Sequence, residues 1–367
     1  MFNEKKLRQE QIMLLSKKAQ QIKEYTAGEQ LNEGYIKLNS NENPYPPSKK
    51  VLKAIKSSSK LNFYPSPRAD NLRLELSKLY NIPQDNIFIG NGSDEVLGFA
   101  FLAFFNKHEK DIVFPEVTYS FYPVWAELYD INYRTIQQND DFTINIKDYY
   151  NLQNCQGIII ANPNAPTTLE LSCQDIENIV IHNLDKVIII DEAYVDFGTY
   201  NCLDLVSKYQ NVLVIRTFSK SWSLAGIRCG FAMGSTELIK GLEKIRDCFN
   251  SYSVNRLTQA AAIAAVSDIK YFNQTINKVK STRTRVINEL IKLGYNVLQS
   301  KTNFIFMTRQ GWDAKSIYQK LKDQKILVRH FNLPKIQNYL RVTISTDEQM
   351  NKFLNALKKI DNSFDNL

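Results

Sequence analysis

The chain has 367 residues, of which 44% are hydrophobic and 23% charged. These proportions exclude disordered and fibrous classes and leave room for two domains. Its 46 basic and 38 acidic residues give a formal charge of +8 but are interleaved without a long basic run, so small anionic ligands fit better than nucleic acid.

The first 25 residues are charged throughout and lack the apolar core of a signal peptide. No apolar run approaches the roughly 18 residues that span a bilayer. Five scattered cysteines without a CxxC spacing and three isolated histidines point away from disulfides and from a metal, and toward a reducing compartment. A cytoplasmic chain with no membrane contact is expected. Residues 1–46 read as an N-terminal segment, part small domain and part crossing loop. The proline-rich stretch NSNENPYPPS (39–48) is that loop, because proline fixes its own φ and drives the preceding residue extended.

From 47 to 255 short apolar runs alternate with helix-length segments. Strands are expected at 87–89, 111–114, 132–136, 157–161, 187–190, 212–215 and 230–233. Their compact β-branched runs lack clean alternation, the pattern of strands buried on both faces. This predicts an α/β large domain: a mostly parallel seven-stranded sheet covered by helices. Ligands bind such sheets beyond the carboxyl ends of the strands. Residues 256–367, with a helical stretch over 256–293, an amphipathic helix over 314–324 and two late strands, predict a smaller α+β domain.

The strand ends carry the chemistry. IGNGSDEVL (89–97) is a strand, a glycine turn and a helix start, whose free N–H groups and dipole suit a phosphate. PEVTYSFY offers Tyr119 as a flat face for a ring, and ANPNAPTT is a rigid loop able to hold an amide against a ligand. The run at 187–190 ends on Asp191, and the run at 212–215 leads to Ser219 and Lys220. A lysine amine can form a Schiff base with an aldehyde, and a carboxylate can hold a pyridine nitrogen protonated. Each segment alone is equally an N-cap, a turn, a core aromatic or a surface cation.

Taken together, LNSNENPY, FYPSP, GNGSDE, NPNAPT, DEAYVDF, TFSKSWSLAGIRCG and YLRVT resemble the fold-type I pyridoxal-phosphate enzymes of the aminotransferase class I/II superfamily, across essentially the whole chain. Within that superfamily they look most like the histidinol-phosphate branch. The resemblance implies pyridoxal 5'-phosphate as cofactor, with histidinol phosphate and glutamate or 2-oxoglutarate as substrates. It also implies that Lys220 bonds the cofactor aldehyde and moves the substrate proton, Asp191 pairs with the pyridinium, Tyr194 meets the ring hydroxyl and Tyr119 stacks on the ring. Gly92, Ser93, Asp94, Ser219 and Arg228 match the phosphate group's partners. Tyr64 matches a tyrosine that reaches the phosphate of a neighbouring subunit, which implies a homodimer. Arg341, Arg329 and Tyr25 match substrate-binding positions, and no metal is implied.

Two departures stand out. Where the family loop usually reads NPNNPTG, this chain has Ala165 before the proline and Thr168 for the glycine. The ring hydroxyl then rests on Tyr194 alone, or on Asn162 or Asn164 turning in; Asn162 is taken as a cofactor residue. Trp222 replaces a smaller aromatic and is expected close enough to Lys220 to shape the pocket. The alternatives are an aromatic amino-acid aminotransferase, a threonine-phosphate decarboxylase, and a non-catalytic sensor fused to a DNA-binding module. About 45 residues precede the large domain, too few for such a module.

Overall fold

The computed structural model describes residues 14–23, 25, 28–30 and 34–364. Helix α1 (Lys17–Gln21) and strand β1 (Ile36–Lys37) precede the crossing segment, and α2 (Lys49–Ser57) and α3 (Asp70–Tyr80) follow it. The large sheet comprises β2 (Ile87–Gly90), β3 (Asp111–Pro115), β4 (Tyr133–Ile136), β5 (Cys155–Ala161), β6 (Val187–Asp191), β7 (Val212–Thr217) and β8 (Gly230–Gly234). Between them run α4 (Ser93–Phe104), α5 (Phe121–Leu128), α6 (Cys173–Ile181) and α7 (Leu203–Lys208), with α8 (Thr236–Phe249) after β8. The chain continues through α9 (Arg256–Val266), α10 (Ile269–Lys292), β9 (Asn296–Val297), β10 (Phe304–Thr308), α11 (Ala314–Asp323), β11 (Ile326–Leu327), β12 (Arg329–His330), β13 (Leu340–Thr343) and α12 (Asp347–Phe364).

The strand order is β2-β8-β7-β6-β5-β3-β4. All neighbours are parallel except β8, which runs antiparallel to both β7 and β2. The sheet is therefore the mostly parallel seven-stranded one that the runs predict. Each central strand feeds two cores. In β6, Ile188 and Ile190 enter one cluster and Ile189 the opposite one, as successive side chains alternate faces. Each such side chain contributes about 1.5–3 kcal/mol by leaving water. The expectation of two buried faces fails at β4, whose Tyr133, Arg134 and Thr135 are exposed. It is an edge strand, with only β3 beside it.

Local signals set the helix starts. Ser172 and Asp175 form a reciprocal capping box at α6, and Ser235 accepts from Leu238 N–H at α8. The helical stretch 256–293 is two helices with a break at 267–268. Ala261, Ala262 and Val266 of α9 pack into the large-sheet core, whereas Ile276, Val279 and Val286 of α10 belong to the small-domain core. We propose the domain division near 267 instead of 255/256, because burial follows the break. The small domain has an antiparallel sheet ordered β12-β13-β10-β9 and a parallel β1–β11 pair, so the N-terminal segment is stitched to it. Among the described residues no helix is long and apolar enough to cross a membrane.

Candidate active site

Beyond the carboxyl ends of β5, β6 and β7 lies a cavity of about 380 Å³. Parallel register sets Ala161 beside Asp191, and Asp191 beside Ile215, so the three strand ends open at one level. Ser93, Asp94, Tyr119, Asp191, Tyr194, Ser219, Lys220 and Arg228 all line this cavity. Asp191 is buried, and its Oδ2 accepts from Tyr122 Oη at 2.8 Å while its Oδ1 accepts from Ala193 N at 3.1 Å. Burial pushes its carboxyl up to about 6, against the pull of those two hydrogen bonds.

Lys220 follows β7. Its Nζ donates to Ser40 O at 3.4 Å and lies 5.8 Å from the centre of the Tyr194 ring. Tyr194 Oη in turn accepts from Asn41 Nδ2 at 2.9 Å. Asn41 has φ +59°, a left-handed conformation that asparagine tolerates better than most residues. This contact comes from the crossing segment, which brings the small-domain side of the chain over the strand ends.

Another part of the cavity wall is built for an anion. Helix α4 starts after Gly92, which has φ +89° and gives no side-chain cap, so the first-turn N–H groups face outward with the positive end of the dipole. Arg228 Nη2 pairs with Asp94 Oδ2 at 3.1 Å, and its Nη1 lies 3.4 Å from Ser219 Oγ. A Cβ at Gly92 would stand 2.7 Å from Arg228 Nη2, so glycine is what lets the guanidinium reach this turn. Tyr119 Oη donates to Asp94 Oδ1 at 2.9 Å; burial, then the Asp94 charge, hold its phenol well above the ordinary range.

A second cavity of about 580 Å³ shares Ser40, Tyr119, Ala165, Tyr194 and Lys220 with the first. Its other walls include Tyr25, Arg329, Phe331 and Arg341. Arg329 and Arg341 are cross-strand partners in β12 and β13, two like charges held side by side. Arg341 Nη2 donates to Asn39 O at 2.9 Å, while its buried Nε has no hydrogen-bond partner among the described residues. Its guanidinium lies 5.3 Å from the centre of Phe304 and 5.7 Å from that of Phe331. Burial lowers its pKa, the cost that a bound anion would offset. Tyr25 rests on Phe121 with ring centres 4.6 Å apart.

Asn162, Asn164, Trp222 and Tyr64 lie outside both cavities of the chain. Asn162 does not line either cavity: Nδ2 donates to Leu171 O at 3.1 Å and Oδ1 accepts from Leu171 N at 2.8 Å. The amide closes its own loop and faces a separate cavity of about 220 Å³. Asn164 is equally engaged, with Val117 O, Thr167 Oγ1 and Thr118 Oγ1, so neither amide turns in and the Ala165 methyl forms the wall. Trp222 is a core residue stacked on Phe272 at 3.8 Å and lines neither cavity. Tyr64 is 78% exposed, stacked on Tyr252 at 4.4 Å, and outside the cavities of its own chain.

Sequence reading missed Tyr122 and Asn41, which hold Asp191 and Tyr194. It also missed the support beneath them. Next to Asp191, the buried Glu192 accepts from Arg216 Nε at 2.8 Å and forms an ion pair with the same guanidinium, its Nη2 2.7 Å away, and its other oxygen accepts from Cys202 N. Asparagine in a quoted crossing-loop motif was a signal for Asn41; nothing local marks Tyr122. Glu192→Ala is expected to lower unfolding free energy by about 3–5 kcal/mol, because Arg216 is left buried without its counter-charge. Urea unfolding checks this, and a loss under about 1 kcal/mol would show the pair to be dispensable.

A family model described as aminotransferase class I and II matches residues 33–357. The histidinol-phosphate aminotransferase of Brachyspira hyodysenteriae is 52% identical over 350 residues, covering 94% of this chain and 98% of that protein. That of Clostridium botulinum (strain Okra / Type B1) is 50% identical over 344 residues, covering 93% and 96%. Among solved structures, histidinol-phosphate aminotransferase from Sinorhizobium meliloti in complex with pyridoxal-5'-phosphate has a TM-score of 0.83 at 24% identity, over 89% of this chain and 91% of that one. The Clostridium acetobutylicum histidinol-phosphate aminotransferase has a TM-score of 0.81 at 23% identity, over 89% and 99%. At such identities these two speak to the fold alone.

Proposed function

The chain belongs to the aminotransferase class I and II family, and we propose that it exchanges the amino group between histidinol phosphate and 2-oxoglutarate. The products are imidazole-acetol phosphate and glutamate, and the reaction is reversible, in the service of histidine biosynthesis. The observation that carries this reading is the pair of cavities that share Lys220: one is lined by a buried carboxylate and an anion cradle, the other by two arginines side by side.

The residues of the first cavity fit pyridoxal 5'-phosphate. A buried carboxylate suits a protonated ring nitrogen, Tyr119 and Ala165 supply flat walls, and α4 with Ser93, Ser219 and Arg228 suits a dianion. The cofactor supplies an aldehyde that joins an amine and a protonated ring that takes up the electron pair left when a carbon-bound proton departs. Lys220 Nζ would hold the aldehyde at rest and, as a free amine, would take the proton from the substrate Cα. Asp191 keeps the ring nitrogen protonated. With Ala165 beside it and both loop asparagines engaged elsewhere, Tyr194 is the residue for the ring hydroxyl, steadied by Asn41.

In the second cavity Arg341 and Arg329 meet the phosphate of histidinol phosphate or the α-carboxylate of glutamate, with Tyr25 at the rim. One arginine clamp thus serves two anions of different shape, since guanidinium donors match both. Arg341→Gln is expected to lower kcat/KM by about 10²–10³-fold, the consequence of losing one partner of a buried charge pair. The loss should appear with both substrates in steady-state kinetics.

Tyr64, exposed in a single chain and held by Arg256 through its carbonyl, is read as closing the phosphate site of a neighbouring subunit. Full activity in a species that sediments as a monomer would remove that arm. A cytoplasmic location completes the reading, supported by five free thiols; recovery in a secreted fraction would contradict it. The decisive assay follows glutamate formation with histidinol phosphate, phenylalanine, tyrosine or threonine phosphate as the other substrate. Preference for the aromatic amino acids, or carbon dioxide from threonine phosphate, would sink the assignment.

A further inference from the structure

Tyr122 is fully buried on the first turn of α5, three residues after Tyr119. Its ring meets Tyr119 edge-on with centres 5.5 Å apart and Phe114 tilted at 5.7 Å, so packing fixes the direction of its hydroxyl. That hydroxyl donates to Asp191 Oδ2 at 2.8 Å. With Ala193 N on Oδ1, each oxygen of Asp191 has one protein donor. Two donors on two oxygens set the plane of the carboxylate as well as its position. A carboxylate can accept about four hydrogen bonds, so lone pairs remain for the cavity.

The charges around Asp191 oppose its own. Asp94 and Glu192 both disfavour a second negative charge there. Glu192 is matched by Arg216 and Asp94 by Arg228, so those fields are largely answered. Lys220 lines the same cavity and belongs to the chemistry. Against burial, what remains to hold Asp191 charged before a ligand arrives is the pair of donors, Tyr122 and Ala193 N–H. Burial and then the Asp191 charge keep the Tyr122 phenol well above its ordinary range, so it stays a donor throughout the working pH range.

We propose that Tyr122 is a positioning residue that keeps Asp191 ionised and aimed into the cavity, so that the ring nitrogen of pyridoxal phosphate is held protonated. This rests on the reading of the site given above. A purely packing role for the ring is the rival explanation, and the two separate cleanly because Tyr122→Phe keeps the ring and removes only the hydroxyl.

The test is a titration of pyridoxal phosphate into cofactor-free full-length protein from pH 5 to 8, followed by absorbance and intrinsic fluorescence. Removing a donor from the charged form raises the Asp191 pKa, so the charged state begins at higher pH. In Tyr122→Phe the acid edge of cofactor binding is expected to move up by about one pH unit, with roughly tenfold weaker binding at pH 6, as for loss of one hydrogen bond to a charged group. Carrying 3-fluorotyrosine at position 122 instead makes a stronger donor at nearly constant shape and should move the edge down. Opposite shifts from two nearly isosteric changes support positioning. An unmoved edge in either folded protein would overturn it. Borohydride reduction and peptide mass spectrometry of wild type, run alongside, report on the underlying reading: no cofactor mass on Lys220 would defeat that reading, whereas a labelled Lys220 with unmoved edges defeats only the role of Tyr122.

Discussion

Lys220→Ala is expected to abolish transamination, with a fall in kcat on the order of 10⁵-fold or more, the scale of removing a group that acts as nucleophile and base together. The lysine sits three residues past the end of a strand with no exposed residue, and it lines both cavities. Two other lysines line these spaces, but each reaches one alone: Lys37 the first and Lys23 the second. Lys37 is moreover paired with Glu42. Neither can substitute. The variant should also lose the borohydride-reducible cofactor while keeping the wild-type circular dichroism spectrum. Retained turnover in Lys220→Ala would move the chemistry to another amine and undo the proposed mechanism.

The second large effect is at Asp191. Asp191→Asn keeps the shape and an oxygen for Ala193 N–H but removes the charge from a buried site. Because a buried, hydrogen-bonded charge pair loses about 2–5 kcal/mol when one partner is neutralised, kcat should fall by about 10²–10³-fold. The pH behaviour gives an independent check. Burial raises the Asp191 carboxyl to about 6 in the cofactor-free protein, so the group is neutral below that pH and charged above it. Wild-type cofactor affinity should therefore weaken as pH falls through about 6, and in Asp191→Asn that dependence should vanish. An unchanged acid edge in the variant would show that another group sets it.

Much of the architecture was legible because the central strands are unusually plain. KVIIID and NVLVIRT are apolar on both faces, which only a covered sheet can use, and the seven runs appear as the seven strands. The edge position of β4 was not legible, since an edge is defined by the absence of a neighbour. The break between α9 and α10 was missed for a related reason: both halves are helical by pattern, and only packing shows that they serve different cores. Trp222 illustrates the same limit. Two residues from Lys220 in sequence, it turns into the core and stacks on Phe272, which is fifty positions later.

By itself the sequence determined the α/β class, the order of strand ends and the family to which their motifs belong. The class and the strand order follow from local hydrophobic period, and the family from the resemblance of short motifs that single segments carry. Tertiary structure decided which side chains share a hydrogen bond across the chain: Tyr122 with Asp191 over 69 positions, Asn41 with Tyr194 over 153, and Arg341 with the Asn39 carbonyl over 302. It also decided that Asn162 and Asn164 serve their loop, leaving Ala165 as wall. Donors and acceptors pair by distance in space, which no local pattern encodes, and so the residues that support the site were beyond reach of the motifs that located it.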